Sequence, residues 1–465
     1  MKFLGLLYAL ASIPESFAAP RRLLTRSDET DIAPGLTSVP ANSSIGTTSP
    51  TTETYRLSSD DTFQFQLLLM NGLATFHGSD TNEVLKTAMY IEPGNFEGFS
   101  EAFKALADKT KADADATSEA SDAINARNRY FAAASYYRAA DFYLHGNWSD
   151  PRINAYWNLQ TQCYNKALYA LPVPGQRVTL PADGFEVEAI FYAPEYPSPY
   201  VKRPTIIMGN GYDAAQEELM HFFVFPALAR GYNVITYEGP GQPTVRRNQD
   251  IGFIYDWERA VKPVVDYLYQ RQDIDFTRLA LLGNSFGGYL AARAAALEPR
   301  IKALLLDGGI YDTHTSFTDQ LPDVLKNLYQ SGQKEELDES IAQALRDPQQ
   351  PSGLRWGVEQ GLWSFKIESA YDFLESVRAY SVANLTDKIQ MPTWIASAAN
   401  DQFYAGQPEQ LKKALGDRAT LHKFDGAAGY HTQVGATEEA NRVIFTWLNQ
   451  VFNISSQNSH SYGVY

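Results

Sequence analysis

Asp275-Phe-Thr-Arg-Leu-Ala-Leu-Leu-Gly-Asn-Ser-Phe-Gly-Gly-Tyr-Leu-Ala-Ala-Arg293 is the stretch on which the reading of this chain turns. Leu279 to Leu282 form an apolar run of strand length, and the residues after Gly287 are Ala-rich and helical in pattern. Between them, Gly283-Asn-Ser285-Phe-Gly287 has the G-x-S-x-G spacing of a strand–turn–helix nucleophile elbow. The glycines follow from crowding: a serine held in a sharply turned backbone brings its neighbours two residues away too close for a Cβ. Such a turn lifts the Ser285 hydroxyl above the strand end and aims the Phe286 N–H at a developing oxyanion. The pentapeptide alone arises by accident in roughly one chain in ten of this length. The competing reading is a tight β–α turn in a Rossmann-like unit with an incidental serine, and the flanking strand and helix argue against it.

Outward from the elbow, short apolar strands alternate with helices. Phe185-Glu-Val-Glu-Ala-Ile-Phe-Tyr192 alternates like an antiparallel strand, and Pro204–Gly209 reads as a buried one. A helix over 216–230 then leads to a strand at Tyr232–Glu238, and a helix over 256–271 leads to the elbow strand. A strand at 301–307 follows, then a mostly helical insertion over 313–382, strands at 393–398 and 420–424, and a last helix at 438–451. This alternation requires a mostly parallel sheet covered on both faces. With the elbow and the insertion placed as they are, it describes the α/β-hydrolase fold, with the helical insertion before the penultimate strand.

That fold sets the remaining catalytic groups in chain order Ser, acid, His. Asp401 follows the penultimate strand and His431 the last one, so both slots are filled. Asp307, at the end of its strand, is the competing acid. Of the seven histidines, His422 alternates within a strand, while His221 and His314 are candidates for lining a pocket. The second oxyanion donor belongs to the loop after the Thr205–Met208 strand, where Gly211 and Tyr212 are the candidates beside Phe286.

The segments on either side differ in character. Lys2, the apolar Phe3–Ala11 run and the small residues Ser16 and Ala18 read as a secretory signal over 1–18, cleaved after Ala18. Residues 19–54 are rich in Ser, Thr and Pro and read as a disordered arm. Residues 55–171 carry a helical pattern with no strand signal and read as a separate helical cap domain; the hydrolase domain spans 172–452, with a tail at 453–465. Sequons at Asn42, Asn147, Asn384 and Asn453 fit a glycosylating compartment, secreted or luminal. The single cysteine, Cys163, excludes an intrachain disulfide and reads as a buried small hydrophobe.

Composition bounds the function. A net charge of −15 and a pI near 5.0 argue against nucleic acid and anionic membrane surfaces as partners. No later run of apolar residues has the length of a membrane anchor. No phosphate loop, clustered Cys/His site or dinucleotide fingerprint occurs, so neither cofactor nor metal is expected. A small-molecule substrate is; the oligomeric state stays open, a homodimer being one expectation. Aromatic residues, 13% of the chain, include Trp356, Trp363, Phe365, Tyr371 and Phe373 in the insertion, which with the helical region is expected to roof the site.

Five motifs carry a family resemblance: Gly209-Asn-Gly-Tyr-Asp-Ala-Ala-Gln-Glu-Glu-Leu, Arg230-Gly-Tyr-Asn-Val-Ile-Thr-Tyr-Glu-Gly-Pro-Gly-Gln, Asp256-Trp-Glu, Pro263-Val-Val-Asp-Tyr-Leu and Gly308-Gly-Ile-Tyr-Asp. Over residues 55–452 the chain resembles the fungal α/β-hydrolases of the fusarin-cluster and cytochalasan-pathway type. It is more distantly similar to 2,6-dihydroxypseudooxynicotine hydrolase and to the heptaketide-shortening hydrolase of melanin pigment synthesis. The resemblance implies a Ser285–Asp401–His431 triad acting on a carbonyl of a polyketide-type or polyketide–amino-acid metabolite. Cleavage of a C–C, ester or amide bond and ring closure by acyl transfer all stay open at this point. So do a secreted carboxylesterase or peptidase, and a non-catalytic binding protein on the same scaffold.

Overall fold

The computed structural model describes residues 55–117, 119–194, 201–212 and 214–454. The expected signal, arm and Asn42 sequon, and nearly all of the expected tail, lie outside the described residues, as does Asp213. Among the described residues there are eight strands, β1 (Gln176–Pro181), β2 (Glu186–Tyr192), β3 (Arg203–Gly209), β4 (Asn233–Glu238), β5 (Ile274–Asn284), β6 (Ala303–Asp307), β7 (Thr393–Ala398) and β8 (Ala419–Phe424). They form one sheet in the order β1-β2-β4-β3-β5-β6-β7-β8. β2 pairs antiparallel with both β1 and β4; every pairing from β4 to β8 is parallel.

Successive side chains along a strand face opposite sides, so a central strand covered on both faces must be apolar at every position. β5 meets this with Leu279 and Leu281 on one face and Ala280 and Leu282 on the other, all at most 1% exposed. Two cores result. The first joins Ile206, Met208, Leu282 and Trp394 to the helices Asp61–Gly72, Phe96–Ala116, Glu119–Asp141, Pro151–Tyr169 and Thr437–Val451. The second joins Ile207, Leu279, Leu281 and Leu304 to Glu258–Tyr269, Gly287–Leu297 and the insertion. The N-terminal helices therefore close their core against the sheet itself. Cys163 is buried among them, and burial pushes its thiol up to about 12.

Two elements differ from the sequence pattern, each for a local reason. β1 was not visible because it is an edge strand with one buried residue, Leu180; its Arg177 turns away to Glu217 (2.7 Å) and Asn165 (2.6 Å). The helix expected over 216–230 is broken into a 3₁₀ turn at Gln216–Glu218, a π turn at Met220–Val224 and a short α-helix at Phe225–Ala229. Pro226 has no N–H for the carbonyl of Phe222, and that carbonyl accepts instead from Asn441 Nδ2 at 2.7 Å.

Cap, core and insertion are also tied by polar groups. Asp141 is fully buried between Arg247 (2.7 Å) and Arg138 (3.1 Å), and His145 Nδ1 meets Gln360 Oε1 at 2.6 Å. Burial alone would raise the Asp141 pKa, but Arg247, His145 and Arg138 hold it well below the carboxylate range. Asp60 caps the helix Asp61–Gly72 by accepting from the N–H groups of Thr62 and Phe63. The same carboxylate accepts from Ser352 Oγ at 2.7 Å, pinning the start of that helix to the start of Ser352–Phe365. No helix of the described residues is long and apolar enough to cross a membrane. The sequon residues Asn147, Asn384 and Asn453 are exposed.

Candidate active site

Ser285 sits between the end of β5 and the helix Gly287–Leu297 with φ +57°, a left-handed conformation that costs a non-glycine residue about 1–3 kcal/mol. Its neighbours hold it there. The Ser285 N–H donates to the Asp307 carbonyl (2.6 Å), and its own carbonyl accepts from Gly288 N (2.8 Å). A Cβ on Gly283 would collide with the Gly287 carbonyl, so the crowding expected of the elbow is present.

Asp401 and His431 come from separate loops beyond β7 and β8. Asn400 and Tyr430 bridge those loops, with Asn400 N–H donating to the Gly429 carbonyl at 2.8 Å. His431 Nδ1 lies 2.9 Å from Asp401 Oδ2, and Nε2 lies 2.8 Å from Ser285 Oγ. The other carboxylate oxygen of Asp401 accepts from the N–H groups of Phe403 (2.8 Å) and Tyr404 (3.0 Å). Burial alone would raise the Asp401 pKa; His431 and those two N–H groups outweigh it and leave the group below its usual value. An ionised carboxylate only accepts, so Nδ1 carries the imidazole proton and Nε2 is left to accept from the serine hydroxyl.

The competing acid, Asp307, lies close by, its main chain bonded to Ser285, but its carboxylate makes no hydrogen bond to His431. Asp307 is 1% exposed, and neither of its oxygens makes a hydrogen bond of ordinary geometry. Burial pushes its pKa up to about 6, with His431 and Gln433 pulling it part of the way back. The competing histidines are placed apart from the serine. Burial lowers His221 to about 4, and its Nδ1 lies 2.8 Å from the Phe76 carbonyl. His314 pairs with Tyr329 and His422 packs on Trp394 and Phe424.

The oxyanion side needs one correction. Gly211 N–H donates to Asn210 Oδ1 (3.0 Å), so what Gly211 contributes is the absence of a side chain. A Cβ there would lie 2.7 Å from Phe286 N and 2.8 Å from Ser285 Cβ. Asn210 Oδ1 also accepts from Asn284 Nδ2 (3.0 Å), locking the ends of β3 and β5 together. In the sequence both asparagines close apolar runs, at 206–209 and 279–283.

A cavity of about 380 Å³ opens over Ser285 and His431. Phe65, Gln66 and Leu69 of the N-terminal region and Phe317, Trp356 and Phe373 of the insertion form part of its wall. Phe403 stands at the base, its ring 5.0 Å from His431 and 5.7 Å from Phe65. Of the five insertion aromatics named from the sequence, only Trp356 and Phe373 line the cavity. Trp363 stacks on His145 (4.1 Å), Phe365 packs on Phe253 (5.0 Å) and Tyr371 on Tyr329 (5.3 Å). Among the described residues no group of His, Cys, Asp and Glu converges as a cage for a metal ion.

An elbow serine, an eight-stranded mostly parallel sheet and a roof of helices define the class, and comparison with known proteins agrees. The Alpha/beta hydrolase family model matches residues 206–437, and the chain belongs to that family. It is a hydrolase. It is 31% identical to the 20-hydroxy-prefusarin hydrolase FUS2 of Gibberella moniliformis over 86% of this chain and 99% of the relative. It is 29% identical to the hydrolase LUC6 of a Fusarium species, over 84% and 97% of the respective chains. The fold is shared with 2,6-dihydroxy-pseudo-oxynicotine hydrolase at a TM-score of 0.64 and 21% identity, covering 82% of this chain and 95% of that one.

Proposed function

We propose that the protein is a serine-triad hydrolase that forms an acyl-enzyme on Ser285 from a polyketide-type metabolite. The observation that carries this reading is the Asp401–His431–Ser285 relay, at 2.9 and 2.8 Å, opening into a roofed, largely apolar cavity. His431 Nε2 takes the Ser285 proton as the oxygen attacks a carbonyl, and Asp401 stabilises the imidazolium and fixes its tautomer. The oxyanion is received by the Phe286 and Tyr212 N–H groups in the space that Gly211 leaves open. The leaving group then takes the proton from His431, and water or an internal nucleophile of the substrate releases the acyl group. Similarity to the 20-hydroxy-prefusarin hydrolase supports a metabolite substrate, as does an aromatic wall that a small ester would not fill.

The test is metabolite comparison. Cells of the producing organism carrying the Ser285→Ala chain are expected to accumulate one polyketide precursor that the native chain consumes, and purified native protein is expected to convert it. Unchanged profiles, together with rapid hydrolysis of simple alkyl esters by the purified protein, would replace this reading with that of a general carboxylesterase.

A further inference from the structure

The helix Asp61–Gly72 presents Phe65, Gln66 and Leu69 to the cavity, and Gln66 is out of place there. Its side chain is 0% exposed, and neither the amide nitrogen nor the amide oxygen has a hydrogen-bond partner among the described residues. Trp356, on the helix pinned to the same end by the Ser352–Asp60 hydrogen bond, is alike: its ring stacks on Phe142 (5.1 Å) and lines the cavity, while its buried Nε1–H has no acceptor. The two helices meet over Phe403, which contacts both Phe65 (5.7 Å) and Trp356 (6.3 Å). Folded proteins satisfy nearly all buried polar side chains, and an amide left unpaired in an apolar wall costs more than a leucine would. Unpaired donors and an unpaired acceptor at the wall of a binding cavity are what a site looks like when the ligand supplies the partners.

We propose that the Gln66 amide and the Trp356 Nε1–H, both covered in this structure, turn into the cavity as an acyl substrate enters and bind a carboxamide that the substrate carries at a distance from the carbonyl that Ser285 attacks. The choice of group follows from the inventory: Gln66 offers N–H donors and one acceptor oxygen, and Trp356 one further donor. A carboxamide supplies both a carbonyl acceptor and an N–H donor and carries no charge. An ester or a plain alkyl chain has no donor, and a carboxylate brings a charge that the apolar wall disfavours. Gln66 is thus a specificity-determining residue, and this inference rests on the acyl-substrate reading given above.

The experiment uses ethyl esters of ω-acetamidoalkanoic acids of graded chain length, each paired with the isosteric alkanoate ester. Binding is measured by calorimetric titration of the full-length Ser285→Ala protein, where turnover does not interfere. At one chain length the acetamido ester is expected to bind about tenfold tighter than its isostere, or more. Adding Gln66→Leu removes that preference while leaving the melting temperature unchanged or raised, because a buried unpaired amide has gone. Gln66→Met repeats the test with an unbranched side chain. No preference at any chain length, or a preference that survives both substitutions, overturns the proposal. So does an equal loss of affinity for both ester series together with a lowered melting temperature, since Gln66 is then a structural group. Turnover of the same esters by the native protein is a separate readout. A binding preference without any hydrolysis would remove the serine-hydrolase reading and leave the carboxamide site standing.

Discussion

Ser285→Ala is expected to lower the catalytic rate roughly 10⁴-fold or more, the scale of triad knockouts in other serine hydrolases. Only the hydroxyl is lost. The left-handed backbone at position 285 is no harder for alanine than for serine, and the hydrogen bonds that hold it run from its main chain to Asp307 and Gly288. The melting temperature should therefore stay close to that of the native protein. A folded Ser285→Ala protein with near-native turnover would mean that another group is the nucleophile.

Asp401→Asn is expected to cost roughly 10³–10⁴-fold in rate, because an amide facing Nδ1 favours the tautomer that puts a proton on Nε2, where the serine proton must go. Asp307→Asn should cost far less, since its carboxylate makes no hydrogen bond to the imidazole. Stability should move the other way for Asp307. In the unfolded chain this group ionises near 3.8, in the native protein at about 6. Between those values the native state holds a proton that the unfolded state has lost, so stability falls as pH rises from about 4 to 6 and stays lower above it. Asp307→Asn removes that penalty of roughly 3 kcal/mol. Its melting temperature should exceed the native one at neutral pH, with the difference vanishing below about pH 4. Equal rate losses in the two variants would place both carboxylates in the relay.

What the sequence made legible follows from how each feature is built. The strands Arg203–Gly209, Asn233–Glu238 and Ala303–Asp307 and the second half of Ile274–Asn284, from Leu279 on, are buried on both faces, so their apolar runs announce them. Ser285, Asp401 and His431 sit at strand ends, where chain order alone predicts them, and the structure brings all three together. β1 carries no such signal, being an edge with one inward residue, and the π turn before Pro226 depends on an Asn441 side chain far away in sequence.

The cavity wall was the least legible part. In Asp61–Gly72 the buried Phe63, Gln66, Leu67 and Met70 form one stripe, and Gln66 also lines the cavity beside Phe65 and Leu69, so periodicity cannot tell the residues that face the core from those that face the cavity. In the insertion Trp356 lines the cavity while Trp363, seven residues on and nearly on the same face of the helix Ser352–Phe365, lies two turns farther along the axis and stacks on His145 instead. Such facing is set by tertiary packing, here by the Asp60–Ser352 and His145–Gln360 contacts that fix how cap and insertion meet.

Treatment with a fluorophosphonate, followed by peptide mass spectrometry, probes most directly whether Ser285 is a nucleophile activated by His431. The reagent phosphonylates an activated serine and stays attached, so the result does not depend on knowing the natural substrate. The expected outcome is a single adduct on Ser285, absent in Ser285→Ala and formed several hundredfold or more slowly in His431→Ala. An adduct on a different residue, or labelling of Ser285 at an undiminished rate in His431→Ala, would contradict it.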